Sequence, residues 1–307
     1  MSASLTSKSV GARRSLFARI RQGAAEFPTL AIGLVIVGIV VTITLLSPWL
    51  VPFAPDMTGP DVSTPPPPLS DIPGLLLQAA TGRLAHKVHW FGTDASGLDI
   101  FSRVIMAPRT DLVIAVSANL ISMVTGTAIG LLCGFYRGWL AELVMRISDL
   151  LQSFPILISG MILVTLAGRN QGNIILALGV LYTPIYVRLA RVETLAQRAR
   201  GYVEASRALG LREIAIATRH VLPNSLAPSM IQASVMIGFG ILMTAGLSFV
   251  GAGVRPPTPE WGLMIAAGVD DMIQGEWWPS VFPGVAISLT VFGFASLGNG
   301  LERLYAR

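Results

Sequence analysis

The chain has 307 residues, of which 52% are hydrophobic and only 13% charged, and its formal net charge is +5. An average soluble domain carries about 25% charged residues, so this composition excludes a water-soluble globular fold and predicts an integral membrane protein. The basic excess follows from membrane topology, as shown below, and requires no nucleic acid partner.

In chain order, residues 1–28 form a polar segment holding Lys8, Arg13, Arg14, Arg19 and Arg21. Apolar runs follow at Thr29–Leu50, Leu112–Phe135, Ile147–Ala167, Gly172–Leu189, Leu226–Val250 and Val281–Leu301. Each approaches or exceeds the roughly 20 residues that a helix needs to cross the hydrocarbon core. The expected fold class is an all-α polytopic membrane protein of about six transmembrane helices. Residues 29–51 read as a retained first anchor, because the run is longer than the apolar region of a secretory signal. Residues 52–110 form an external segment with the tetraproline run Pro65–Pro68, which favours extended backbone, and with Ile72–Ala80, apolar but too short to span. Residues 111–307 hold the remaining spans.

Within that core several local features are expected. Asp149 lies one helical turn from Arg146, a spacing suited to an ion pair, and Pro155 is expected to kink its helix. Cys133 falls inside a span and reads as a small packing residue. Met236, Phe239 and Met243 share one face of the fifth span and are candidate path-lining residues, although such a stripe also suits helix packing. Pro256, Pro257 and Pro259 predict an extended external strand, and Trp277 with Trp278 an interfacial aromatic belt. The span interiors read as nearly free of ionisable groups, which disfavours a proton-coupled carrier.

The most informative segment is the loop at 191–225, between the fourth and fifth spans. Arg207, Arg212, Glu213 and Arg219 keep it out of the bilayer, since each would cost about 2.5–3.5 kcal/mol at the membrane centre. Tyr202, Ala205, Ala208 and Leu209 recur at helical spacing, Gly210 follows as a left-handed cap, and Leu211, Ile214, Ala215 and Thr218 resume the stripe. Pro223 is expected to end the second helix. Spacing alone leaves open a hairpin docked in a partner's groove and a helix resting on lipid headgroups. Arg188, Arg191, Arg198, Arg200, Arg137, Arg146 and Arg303 lie on the same side as this loop and the N-terminal cluster. The opposite side holds Arg83, Lys87, Arg103, Arg109, Arg169 and Arg255. The positive-inside rule therefore predicts that both termini and the loop are cytoplasmic.

The run Glu204-Ala205-Ser206, Gly210, then His220-Val221-Leu222-Pro223 resembles the EAA loop of the permease subunits of bacterial ABC importers, with Ser206 and His220 in place of the usual Ala and Ile. Gly92-Thr93-Asp94, Gly97, Asp99, Ser102 and Arg103 resemble an external segment of the C-type subunit of dipeptide and oligopeptide permeases. Leu247-Ser248-Phe249 through Trp261-Gly262 is similar to peptide and nickel permeases. The resemblance implies a type I importer permease in the bacterial inner membrane. Its implied partners are a homologous permease chain, two cytoplasmic ATPase subunits that carry ATP and Mg2+, an external solute-binding protein, and lipid. It makes the loop a coupling helix: Leu209, Leu211 and Ile214 as docking face, Gly210 as reversal, and Glu204, Arg207 and Arg212 as polar contacts. The external motif would seat the binding protein or cap the bundle. The chain lacks a phosphate-binding loop, His86, His89 and His220 are too dispersed for a metal site, and a non-enzymatic subunit with no cofactor of its own is expected.

Overall fold

Hydrocarbon offers backbone N–H and C=O groups no partners, so each apolar run must satisfy its own as a helix. The computed structural model describes residues 27–81 and 88–305; Lys8, Arg13, Arg14, Arg19, Arg21, Arg83, His86, Lys87 and Arg307 lie outside them. In order the helices are α1 (Pro28–Leu50), α2 (Ile72–Ala80), α3 (Ile100–Tyr136), α4 (Trp139–Gln152), α5 (Ile156–Ala167), α6 (Gln171–Arg198), α7 (Gly201–Ala208), α8 (Glu213–Ile216), α9 (Leu222–Phe249), α10 (Trp261–Ile273) and α11 (Trp278–Tyr305). No strand occurs among the described residues, only an isolated bridge between Thr93 and Asp99. Five helices are long and apolar enough to cross a membrane, and the pair α4–α5 makes a sixth crossing if counted as one bent span.

Two buried clusters organise the bundle. Ile100, Ala115, Ile241, Trp261, Trp278 and Phe294 join α3, α9, α10 and α11. Ile114, Tyr182, Tyr186, Met236 and Leu247 join α3, α6 and α9. The α3–α6 seam depends on Gly126, Gly130 and Gly134, spaced four apart and so on one helix face. A Cβ at Gly126 would meet Tyr186 and Thr183, at Gly130 the Val187 carbonyl, and at Gly134 Thr194. Midway along the seam Asn119 donates to the Ala233 carbonyl at 3.0 Å and accepts from the Tyr186 hydroxyl at 2.6 Å, so one buried amide ties α3, α6 and α9 together. Cys133 is buried and free. Helix α1 lies outermost, with Val35 60% and Leu45 64% exposed, as a lipid-facing helix should be.

The structure corrects several expectations. Ile147–Ala167 is not one kinked helix: α4 and α5 meet at 91°, with Pro155 as the extended N-cap of α5. Proline has no N–H to give and disfavours helical backbone in the residue before it, so the chain breaks fully there. Asp149 bonds Arg188 of α6 at 2.9 Å instead of pairing with Arg146. Pro223 does not end a helix. The chain runs helical from Glu213 to Phe249, and a π-turn at Ala217–Val221 lies just before the proline. The wider turn relieves the missing donor and the ring's clash with the carbonyl four residues back. The proline run near Pro256 forms turns, with Thr258 N–H bonded to the Arg255 carbonyl, and α10 follows unannounced. Trp278 is buried and donates its indole N–H to the Thr93 carbonyl, so only Trp277 stays half exposed.

Candidate functional site

Helix α3, about 55 Å long at 1.5 Å per residue, carries one sequence motif at each end. At its C-terminal end Leu131 and Phe135 pack with Val203, Ile216, Ala217 and Val221 of the 201–221 hairpin. That buried cluster fixes the hairpin to the bundle. Arg198 and Arg207 lie over the Phe135 ring at 5.8 and 5.9 Å, within the range of a cation–π contact.

The hairpin's turn is closed by backbone geometry. Gly210 N–H bonds the Arg207 carbonyl at 2.9 Å and Leu211 N–H bonds the Ser206 carbonyl at 3.2 Å, the paired pattern of a Schellman cap. Gly210 takes φ +77°, a conformation that a side chain resists. Across the turn Arg207 grips Glu213 with two bonds, Nε to Oε1 at 2.8 Å and an Nη to Oε2 at 3.1 Å. Arg207 is therefore occupied within the chain. Glu213, not singled out in the sequence as a contact residue, is its partner. Its six-residue separation across a glycine cap was the available signal.

The stripe splits into two faces. Val203, Ser206, Ile216 and Val221 are buried, whereas Leu209 is 82%, Ile214 49% and Leu211 43% exposed. Glu204, Ala205 and Arg212 share the exposed surface, Leu222 is half-buried, and Pro223 is exposed. The three apolar side chains thus stand around Gly210 at the tip of a rigid, bundle-anchored hairpin that carries cations. This is a protrusion whose exposed apolar tip is suited to docking.

At the other end of α3 the external motif is consumed in building structure. Asp99 caps the helix by accepting from Ser102 N–H at 2.7 Å and bonds His89 Nδ1 at 2.8 Å. His89 in turn stacks on Phe53 at 4.1 Å. Asp94 accepts from the N–H groups of Ser96 and Leu98, and the Thr93 hydroxyl accepts from Thr64 N–H. Gly92 and Gly97 have positive φ and pack on Thr64 and Gly59. The motif pins residues 53–64 onto the head of α3. Arg103 adds a second tie, donating to the Pro55 and Pro257 carbonyls at 2.8 and 2.9 Å.

The same region holds a pair that the sequence did not disclose. Asp111, inside α3, and Glu260, the N-cap of α10, are 1% and 0% exposed and contact each other. Glu260 accepts from Gly262 and Leu263 N–H at 2.8 and 2.7 Å, and Asp111 from Trp261 N–H at 3.3 Å. Burial raises the Glu260 carboxyl above its ordinary range despite the hydrogen bonds from these backbone groups. Two carboxylates side by side away from water repel each other. Asp111 lies one residue before the apolar run Leu112–Phe135 and is helical because α3 begins at Ile100, earlier than that run suggests.

Met236 is buried in the α3–α6–α9 core, and Phe239 and Met243 are packed beside it, with Phe239 5.9 Å from the Tyr182 ring.

These features define a polytopic helical membrane protein with a charged, apolar-tipped hairpin at one end. Residues 126–307 match the family described as "Binding-protein-dependent transport system inner membrane component", and the chain belongs to that family of multi-pass inner-membrane transport permeases. It is 38% identical over 216 residues to the glutathione transport system permease protein GsiD of Pectobacterium atrosepticum, covering 70% of this chain and 71% of that one. It is 35% identical over 277 residues to the probable D,D-dipeptide transport system permease protein DdpC of Escherichia coli, covering 90% and 87%. Among solved structures a chain of the methionine ABC transporter MetNI, in inward-facing conformations, superposes with TM-score 0.54 at 20% identity. That match covers 66% of this chain and 95% of that one and identifies the fold as that of an ABC importer permease.

Proposed function

We propose that the chain is the permease subunit of an ATP-binding-cassette importer for peptides or a related small solute such as glutathione. The single observation that carries the mechanism is the exposed Leu209–Leu211–Ile214 tip on a hairpin locked by Gly210 and the Arg207–Glu213 clasp. Exposed leucines flanked by cations suit an apolar groove with an acidic rim on a soluble partner. That partner would be one of two ATPase subunits, which would hold ATP and Mg2+ and carry out hydrolysis, this chain being non-enzymatic. A second, homologous permease chain would complete the path, with Phe239 and Met243 bordering it, and an external binding protein would deliver the solute. Both termini would then be cytoplasmic, as the basic residues favour.

Closure of the ATPases would move the hairpin. Because Val203, Ile216 and Val221 are packed on Leu131 and Phe135, the displacement would pass to α3 and, through the glycine seam, to α6. The names of the relatives, a glutathione transport system permease and a probable D,D-dipeptide transport system permease, support the solute class. The test is copurification of the ATPase subunits in mild detergent. Leu209→Asp with Leu211→Asp should abolish it while the permease chain itself still folds; retention of the ATPases at parental stoichiometry would reject the docking role.

A further inference from the structure

Polar side chains at bilayer depth either face one another, face water, or meet a ligand, because hydrocarbon satisfies none of them. One flank of the bundle collects such groups. A cavity of about 400 Å3 opens there between α4, α6 and α9, with Gln152, Arg188 and Gln232 among the aliphatic side chains of Ile185 and Val192. Other grooves of the bundle wall, such as the one bounded by Ile39, Val40, Ala286 and Leu289, are lined almost wholly by aliphatic groups.

Depth decides which environment this flank meets. Arg188 and Gln232 are each seventeen residues from the outer ends of their helices, about 25 Å at 1.5 Å per residue, and so lie toward the inner, loop-side end of a hydrocarbon core of about 30 Å. Among the described residues neither glutamine amide has a hydrogen-bond partner. Arg188 uses one terminal nitrogen on Asp149, at 2.9 Å, and both side chains of that pair are half exposed. A guanidinium has five N–H donors, so donors remain for a further anion. Lipid would leave two amides and half an ion pair unsatisfied on one flank.

Resting on the importer reading above, we propose that this flank lines the translocation path. Gln152 and Gln232 exchange hydrogen bonds with the amides of the passing peptide, and Arg188 holds its carboxylate. Glutamine both donates and accepts, matching a peptide unit, and the guanidinium fork matches a carboxylate. These contacts are independent of side-chain identity in the cargo.

The experiment uses the complete complex in proteoliposomes, with Cys133→Ala as background. Gln232→Cys and, as lipid-facing reference, Leu45→Cys are treated with a charged, membrane-impermeant thiol reagent. Gln232→Cys should react at least tenfold faster; equal rates would place the flank against lipid and overturn the proposal. Gln152→Leu with Gln232→Leu should then lower import of radiolabelled dialanine or glutathione at least tenfold while the ATPase subunits still copurify. Import within twofold of the parent would overturn the contact role. Loss of ATPase from the parent complex itself would count against the docking hairpin and leave the labelling comparison intact.

Discussion

Substitution of Gly210 isolates backbone geometry from packing. The residue has φ +77°, and a Cβ built on it meets no atom within 4 Å, so alanine there introduces strain without a clash. A left-handed non-glycine residue costs about 1–2 kcal/mol, which lowers the population of the closed turn roughly 5- to 30-fold. Asparagine tolerates the region better, and a β-branched residue resists it more. Because both Schellman bonds and the placement of Leu209 and Leu211 depend on this turn, coupling should fall in the order Gly, Asn, Ala, Val. The bundle, whose core is remote from the tip, should unfold at an unchanged temperature. The assay is stimulation of ATPase activity by loaded binding protein in the reconstituted complex. Full stimulation in Gly210→Val, or loss that ignores this order, would refute the assignment of a rigid turn to coupling.

Other outcomes follow from the packing and the buried acids. At Gly130 an added side chain would strike the Val187 backbone, so Gly130→Val should destabilise the chain by about 2–3 kcal/mol or more, read as thermal unfolding in detergent, whereas Gly38→Ala, with open space around it, should be neutral. Asn119→Leu leaves the Tyr186 hydroxyl unpaired and removes the tie to the Ala233 carbonyl, which keeps its own helical partner, and should cost about 1–3 kcal/mol for the group left unsatisfied; an unchanged unfolding temperature would contradict the role of this amide. Glu260 titrates above its ordinary value of 4.5 when folded, so the folded state holds the proton longer than the unfolded one. Its contribution is present below the ordinary value and is lost as pH rises through the raised one. Glu260→Gln should therefore flatten the fall of unfolding temperature with rising pH, and a parallel pH profile would contradict that contribution.

Much of the architecture was legible because lipid simplifies the code. Five apolar runs became helices near their expected positions, and Gly210 announced its left-handed turn through its place between two amphipathic stretches. The failures share a cause: pairing between distant residues is invisible to local periodicity. Asp149 had a plausible neighbour in Arg146, yet the fold brings Arg188 closer. Nothing in the local sequence of Glu260 signals Asp111, which α3 places beside it. Pro223 looked like a stop signal because its effect on an α-helix is well defined, but the π-turn at Ala217–Val221 absorbs that effect. For the external motif two roles were open, seating a binding protein or capping the bundle, and the bonds of Asp94 and Asp99 are those of a cap, tying residues 53–64 to α3.

The central claim is that the tip around Gly210 is seated in a nucleotide-hydrolysing partner. Leu209→Cys, in a Cys133→Ala background within native membranes, gives the most direct test when combined with a short thiol crosslinker and cysteines scanned across the ATPase subunit's surface. The account predicts a crosslinked permease–ATPase species whose yield changes when ATP hydrolysis is trapped. A tip that never crosslinks to the ATPase, or that reacts with impermeant reagent only from outside the cell, would contradict it.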